Sequence, residues 1–295
     1  MTDTPLRLGY IGLGNIGGPM AGRLAEAGPI TVFDVATEAV ATLVAAGATA
    51  AGSIADLARS SDLVSICVRD DQQVRDVVGE LLPHLAPGAL IAVHSTISPE
   101  TAAEQAVVCA EQNVILLDAP ISGGAPGAQQ GRLAIMIGGD RAAYQQAKTA
   151  LAPAGDMIVH AGEKAGDGTR MKLARNLLHF VSFAATAEAS RLAEAAGIDI
   201  AKLGKVVRHT DAITGGAGAI MLRDTTAALA PEDPWFPILA HARSLGEKDL
   251  TLALELGDRL GVDLPFGDLA LTGLGTGLGV GPGDLAQQHS VKENA

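Results

Sequence analysis

The chain has 295 residues, a net charge of −12, and a composition that is 48% hydrophobic but only 3% aromatic. The length suits one large or two ordinary domains, and the composition is that of a chain that builds a core. The acidic balance argues against a nucleic-acid partner, since binding to phosphates needs a basic surface. No uninterrupted apolar run reaches the ~18 residues of a membrane span, so no membrane partner is expected.

The cysteines and the N-terminus favour a cytoplasmic protein. Cys67 and Cys109 both lie in apolar runs, and two cysteines alone cannot build a disulfide scaffold. We expect both to be reduced core residues. The first residues carry an acid and lack the basic and then apolar segments of a signal peptide.

In the first half of the chain, short β-rich runs alternate with helical patterns. Cap signals mark two of the helices, namely Ser53 with Asp56 and Ser98 before Pro99. Strands that alternate with helices of this length predict βαβ units and a mainly parallel, Rossmann-type sheet. The predicted strands are Leu6–Ile11, Ile30–Asp34, Leu63–Val68, Leu90–His94, Val114–Asp118 and Leu133–Ile137.

The second half has a different character, because strand signals stop after Gly162. Residues 169–196 contain neither proline nor glycine, and Gly197 supplies the usual C-terminal stop of a helix. Residues 236–260 form another long helical pattern. We therefore predict a Rossmann-type domain at residues 1–162 and an all-helical domain at residues 163–295, joined by a long interdomain helix.

A glycine-rich segment lies between the first predicted strand and the first predicted helix. Gly12 permits a tight turn, Gly14 lets the backbone approach a pyrophosphate, and Gly17 lets helix and strand pack closely. The intervening Asn15 and Ile16 lead into the helix N-terminus, whose free N–H groups attract phosphates. The segment therefore predicts a dinucleotide site.

An acidic residue stands at the distance that such a site requires. Asp34 lies 22 residues after Gly12, at the end of the second strand, where a carboxylate accepts hydrogen bonds from ribose hydroxyls. It would repel a 2′-phosphate, and no arginine follows it closely, so we predict NAD rather than NADP. The alternative is a glycine turn beside a surface aspartate.

Later strand ends are expected to complete the nucleotide pocket, because ligands lie outside the carboxyl ends of parallel strands. Val68 and Arg69 end one strand, and Thr96 follows the next. Thr96 is a candidate for a hydrogen bond near the nicotinamide ribose. It also suits a simple turn.

Two further groups of residues indicate chemistry. Ser122-Gly123-Gly124 places backbone N–H groups beside a hydroxyl, which suits a carboxylate, although this segment taken alone favours a plain glycine loop. On the long helix, Lys172 and Asn176 share a face, and His179 lies within about 60° of it. Clefts between domains are the usual place for substrates, so this polar row is a candidate site.

Several motifs occur in an order that matches a known family. The chain resembles the β-hydroxyacid dehydrogenases, the family of 3-hydroxyisobutyrate dehydrogenase and tartronate semialdehyde reductase, over nearly its full length. The motifs that carry the resemblance are Gly12–Ala21, Ser95–Pro99, Asp118–Gly124, Gly166–Gly168 with Lys172 and Asn176, Lys248–Leu250 and Gly279–Asp284.

The resemblance implies an oxidoreductase that moves a hydride between NAD and a small 3-hydroxy acid. It implies that Lys172 is the catalytic general acid/base and that Asn176 is its partner. Ser122, Gly123 and Gly124 would hold the substrate carboxylate. It also implies a substrate-binding helical domain that forms a homodimer or homotetramer, with Lys248 closing the substrate or cofactor site.

A lysine that acts as a base at neutral pH needs a pKa below the ordinary value. A free lysine titrates near ~10.4, too high for an efficient base at neutral pH. Burial and a second cation at Lys248 would both disfavour the charged form of Lys172. We therefore expect a lowered Lys172 pKa.

Two departures from the family pattern leave the substrate open. Relatives often have Asn-Asn where this chain has Arg175-Asn176, and they have an apolar residue at the position of His179. Either change can reshape the substrate pocket, so His179 is a candidate substrate contact.

Two other functions are compatible with the sequence. One is a reductase of a semialdehyde or an imine, and another is a non-catalytic dinucleotide-binding protein. The histidines show no HExxH spacing, and the cysteines are not paired, so no metal site is predicted.

Overall fold

The computed structural model describes residues 6–221 and 223–293, and the N-terminal residues 1–5 used in the signal-peptide argument lie outside this range. The chain divides into two compact units, one up to Asn176 and the other from Leu177 onward. Among the described residues, no helix is long and apolar enough to cross a lipid bilayer.

The first unit is built on a mainly parallel sheet that has nine strands within the described part of the chain. The strand order is β3-β2-β1-β4-β5-β6-β8-β7, with β9 paired to β8. The strands β1 to β9 are Leu8–Ile11, Ile30–Phe33, Thr49–Ala50, Leu63–Ile66, Leu90–Val93, Ile115–Asp118, Ile121–Ser122, Ala134–Gly138 and Met157–Gly162.

Helices connect these strands as the alternating pattern predicts. The capping signals are confirmed, because Ser53 accepts a hydrogen bond from Asp56 N at 3.1 Å, and Ser98 accepts one from Glu100 N at 3.1 Å. The helices α1 to α7 are Gly17–Ala27, Thr37–Ala45, Ile54–Arg59, Asp71–Leu81, Pro99–Ala110, Gly124–Gln129 and Arg141–Leu151.

Alternation along the strands places two apolar clusters on opposite faces of the sheet. Leu90 and Ala92 of β5 belong to one cluster, and Ile91 and Val93 belong to the other. Burial on both faces explains why this strand reads as a continuous apolar run. The carboxyl ends of the parallel strands β1, β4, β5 and β6 therefore lie along one edge of the sheet.

Helices follow the last strand, as predicted. The helix α8, Asp167–Ala195, begins in the first unit and continues into the second, and Gly197 beyond its end has a positive φ of 74°. The second long pattern forms α10 with the bounds that the sequence predicts. The remaining helices of the second unit are α9 at Ile200–Thr214, α10 at Phe236–Leu260, α11 at Pro265–Gly277 and α12 at Asp284–Glu293.

Candidate active site

The glycine segment after β1 has the geometry of a nucleotide-binding turn. Gly12 has a φ of +93°, and a Cβ there would collide with the carbonyl oxygen of Cys67. A Cβ on Gly17 would collide with the Gly12 carbonyl, so α1 lies directly against the turn. In contrast, a Cβ on Gly14 would meet no atom within 4 Å, so its backbone faces open space.

The beginning of α1 is free of side-chain caps. Ile16, the residue before the helix, makes no capping hydrogen bond. Gly18 N donates to Gly14 O at 2.9 Å and Pro19 has no N–H, so Gly17 N is the first-turn group available to an anion, and the helix dipole favours one there. An open backbone at Gly14 beside an uncapped helix fits the pyrophosphate of a dinucleotide.

Asp34 ties the glycine turn to the end of β2. Its Oδ2 accepts a hydrogen bond from Leu13 N at 2.5 Å, and its Oδ1 accepts one from Ala36 N at 2.7 Å. Each oxygen keeps a further lone pair. The half-buried carboxylate can therefore accept from a ribose hydroxyl while it holds the loop.

The ends of β4 and β5 are linked by Ser95, a residue that the sequence reasoning did not select. Its Oγ donates to Val68 O at 2.6 Å and lies 2.9 Å from Val68 N. Arg69 and Thr96, both exposed, follow these strand ends. The signal that would have found Ser95 is its place just after a buried strand, next to a strand end already selected.

The segment Ser122-Gly123-Gly124 forms the end of β7 and the start of α6. Gly123 and Gly124 have φ values of +128° and +62° and are exposed, whereas Ser122 is half-buried. Positive φ values favour glycine strongly, and both glycines are accessible to the solvent. The segment is thus an exposed cradle of the kind that binds a carboxylate.

Lys172 is a buried lysine of the first unit. It lies on α8 with only 7% of its surface exposed. Burial lowers the pKa of its ammonium group below the ordinary value, and the neighbouring Arg175 cation lowers it further. A lysine that loses its proton more readily is suited to act as a general base.

Asn176 is oriented by the same arginine. Arg175 Nη1 donates to Asn176 Oδ1 at 3.3 Å, which leaves the amide NH₂ as the group that faces other partners. Lys172 and Asn176 stand four residues apart on α8, so they share a face. One face of α8 thus carries a buried amine and an amide that can donate a hydrogen bond.

Asp118 holds the beginning of this helix. It is fully buried at the end of β6, and its two oxygens accept from Gly166 N at 2.7 Å and from Thr169 N at 2.6 Å. Sequence reasoning placed Asp118 in a motif but gave it no role, because its partners are 48 and 51 residues away.

The two remaining candidates, His179 and Lys248, belong to the second unit. His179 contacts Phe183, with ring centroids 4.2 Å apart, and Phe180 at 5.3 Å. Lys248 on α10 has a largely exposed side chain that pairs with Asp249 at 3.0 Å.

Comparisons with known proteins agree with this architecture. Residues 7–162 match the family model of the NAD-binding domain of 6-phosphogluconate dehydrogenase, and residues 166–292 match that of the NAD-binding region of NADP-dependent 3-hydroxyisobutyrate dehydrogenase. The chain belongs to the β-hydroxyacid dehydrogenase family. It is therefore an oxidoreductase with an NAD-binding, Rossmann-type domain and a helical C-terminal region.

Individual relatives cover nearly the whole chain. An uncharacterised oxidoreductase of Mycobacterium tuberculosis is 55% identical over 94% of this chain and 95% of its own length. Two Pseudomonas aeruginosa enzymes follow: an NAD-dependent L-serine dehydrogenase, 35% identical over 90% of both chains, and a 3-hydroxyisobutyrate dehydrogenase, 36% identical over 92% and 90%.

The fold alone is shared more widely. An imine reductase from Myxococcus stipitatus superposes with a TM-score of 0.75 over 97% of this chain and 100% of its own, at 20% identity. Architecture therefore does not separate hydroxy-acid from imine chemistry, and the side chains of the site must do so.

Proposed function

We propose that this protein oxidises a small 3-hydroxy acid with NAD, with Lys172 as the general base in that direction and the general acid in reverse. The observation that carries the proposal is the buried Lys172 with its lowered pKa, on one face of α8 with Asn176. The preceding strand β6 leads into the Ser122-Gly123-Gly124 cradle.

Each residue has a separate task in the proposed reaction. Ser122 and the two glycines bind the substrate carboxylate through the hydroxyl and backbone N–H groups. Asn176 donates a hydrogen bond to the reacting oxygen, and Lys172 Nζ takes the hydroxyl proton. When bound, NAD supplies the hydride acceptor. Lys248, which the family resemblance assigns to the substrate or cofactor site, and the candidate substrate contact His179 both lie in the second unit.

The residues around the glycine turn fit that cofactor. Gly12, Gly14 and Gly17, with Asn15 and Ile16, would hold the pyrophosphate against the start of α1. Asp34 would accept from the adenosine ribose and repel a 2′-phosphate. The segments that follow β4 and β5 would contribute Val68, Arg69 and Thr96.

The cradle favours a hydroxy acid over an imine. A site that takes a carboxylate needs hydrogen-bond donors, and the N–H groups of the exposed Gly123 and Gly124 can supply them, while the Gly123 carbonyl already accepts from Gly127 N at 3.1 Å. Two relatives are named for L-serine and for 3-hydroxyisobutyrate. Both of these compounds carry a carboxylate and a hydroxyl on carbon 3. A 3-hydroxy acid is therefore the favoured substrate class.

The test is an assay of NADH formation with a panel of short hydroxy acids, including L-serine and 3-hydroxyisobutyrate, with NAD and NADP in parallel. We expect turnover with at least one 3-hydroxy acid and a preference for NAD. Reduction of imines without oxidation of any hydroxy acid would contradict the substrate class. A preference for NADP of about tenfold or more would contradict the role of Asp34.

We also propose that the protein is a homodimer or homotetramer that associates through its helical unit. None of the fifteen residues of α9, all of them described, is buried, and Ile213 is 72% exposed. An isolated helix of that length is marginal in water, so its apolar side chains call for a partner surface. Light scattering coupled to size exclusion should show a dimer or a tetramer, and a monomer would contradict the proposal.

A further inference from the structure

The N-terminus of α8 is capped in a different way from five other helices of the molecule. Several other helices use the side chain of the residue that immediately precedes them, which is the ordinary arrangement. These local caps are Ser53, Asp70, Ser98, Asp140 and Asp199. In contrast, α8 receives its acceptor from Asp118, which lies on strand β6.

Asp118 caps the helix with a buried carboxylate, which costs more desolvation free energy than an exposed cap does. It is fully buried, and burial of a charge is unfavourable unless its oxygens are hydrogen-bonded. The two short bonds to Gly166 N and Thr169 N, together with the positive end of the helix dipole, satisfy that requirement. A local cap would satisfy the N–H groups of the helix without joining it to another element. The contact from Asp118 does both, because it also fixes α8 against the sheet.

The surrounding glycines make the joint close. Asp118 is the strand partner of Gly138 on β8, and a Cβ at Gly138 would collide with the Asp118 carboxylate. A Cβ at Gly168 would collide with the carbonyl oxygen of Met136. The first turn of α8 is therefore in direct contact with the ends of β6 and β8.

We propose that Asp118 is a positioning residue that sets the place of Lys172 relative to the Ser122-Gly123-Gly124 cradle. Lys172 lies three residues after Thr169, which is less than one turn along α8. The cradle begins four residues after Asp118 on the same strand connection. One carboxylate thus joins the element that carries the proton acceptor to the element that binds the substrate.

The kinetic part of this inference rests on the proposed function, and a chemical readout is independent of it. Asp118→Asn keeps the size of the side chain but presents an NH₂ to one of the two backbone donors. We expect kcat to fall by about tenfold or more, because small misplacements of a catalytic group are costly. The dissociation constant of NADH should stay within about twofold, since two strands, β4 and β5, separate β6 from the strand β1 that precedes the glycine turn.

The second readout is the rate at which Lys172 is reductively methylated, followed by peptide mass spectrometry. A displaced α8 exposes Lys172, so we expect the rate to rise in Asp118→Asn. If the wild-type protein oxidises no hydroxy acid, the proposed function fails while the methylation rate still tests the positioning role.

Glu188→Gln is the matched control. Glu188 is a buried carboxylate that accepts from Phe266 N at 3.0 Å and Gly267 N at 2.8 Å at the start of α11, so it makes the same kind of joint elsewhere. It should lower the melting temperature as Asp118→Asn does, and leave kcat and the Lys172 methylation rate unchanged.

A second variant covers the case in which Asp118→Asn does not fold. Thr169→Pro removes one N–H from the joint at a first-turn position, where proline is tolerated, and leaves the carboxylate in place. Like Asp118→Asn, this variant should lower kcat and raise the methylation rate of Lys172. A folded variant with wild-type kcat and methylation rate would overturn the proposal. So would loss of NADH binding by both variants, which would show that Asp118 holds the whole domain together.

Discussion

The two units bury their apolar side chains to different extents. In the sheet-containing unit, every residue of β4 and of β5 is buried. In the helical unit, α9 has no buried residue, and Phe180 and Phe183 of α8 are more than half exposed. The first unit therefore completes its own core, whereas the second presents apolar surface of the kind that associates.

The two units also differ in the surroundings of their candidate lysines. Lys172 is buried and has a lowered pKa, whereas Lys248 of the second unit is largely exposed and paired with Asp249. Burial is what changes the chemistry of a lysine. The comparison therefore supports the proposal that proton transfer takes place in the first unit and association in the second.

Replacing Lys172 with Met should have the largest effect. Methionine fills similar space but cannot exchange a proton, so kcat should fall by about 10²–10⁴-fold while NADH still binds. Steady-state kinetics and fluorescence titration of NADH measure the two quantities. Lys148→Met, at an exposed lysine of α7 in the same unit, is the control. A variant at position 172 with ordinary turnover would break the assignment of chemistry to the first unit.

Ile213→Glu tests the other half of the comparison. A carboxylate in an apolar interface costs about 3 kcal/mol, so self-association should weaken by about 100-fold. Sedimentation at several concentrations measures it. Val107→Glu introduces the same charge at an exposed apolar residue of α5 in the first unit and should change nothing. Equal effects of the two variants would show that the units do not differ in this respect.

His94 predicts that the first unit is sensitive to acid. The ring is buried, stacked 6.1 Å from Tyr10, with Nδ1 donating to Ala119 O at 2.9 Å and Nε2 accepting from Ser65 Oγ at 3.0 Å. Burial lowers its pKa to about 4. In the unfolded chain the pKa is about 6.5, so the unfolded state binds the extra proton between these values. The free energy of unfolding should therefore fall by about 2 kcal/mol from pH 7 to pH 5, a loss that is absent above pH ~6.5.

Urea unfolding at the two pH values measures this effect, and natural probes separate the units. Both tyrosines, Tyr10 and Tyr144, belong to the first unit, and the single tryptophan, Trp235, belongs to the second. Only unfolding followed by the tyrosine signal should show the full decrease in the free energy of unfolding. His94→Asn should abolish it, whereas His209→Asn, at an exposed histidine, should not. An equal loss in His94→Asn would exclude His94 as the cause.

Arg175→Asn should have the smallest effect. Because the arginine lowers the pKa of Lys172, its removal should raise that pKa and move the acid limb of the kcat/KM profile to higher pH. Activity at neutral pH should fall less than in the Lys172 variant. Arg170→Asn, which removes a cation already paired with Asp167 at 2.7 Å, should leave the profile in place. An unmoved profile in Arg175→Asn would show that burial alone tunes the lysine.

Most of the fold was predictable, because each element carries its own signal. The six predicted strands occur within one or two residues of their predicted ends, and α10 has the predicted bounds. The strands β3 and β7 were missed because two residues are too few for a pattern. The strand β9 was missed because its outer position leaves it half-exposed, with His160 in the run.

The candidate site was predictable only in part. Residues in local motifs, such as the glycine turn and the Lys172–Asn176 pair, are recognisable because spacing along a helix or turn determines their direction. The links of Asp118 to Gly166 and of Ser95 to Val68 were not, since each joins residues far apart in the chain.

The sequence by itself determined the order of strands and helices, the dinucleotide turn and the residue types available for proton transfer, because these depend on local periodicity and spacing. Only the tertiary structure decided that Lys172 is buried, that Asp118 caps α8 across the sheet, and that α9 lacks buried residues. Burial and long-range hydrogen bonds depend on which segments meet, and no single segment contains that information.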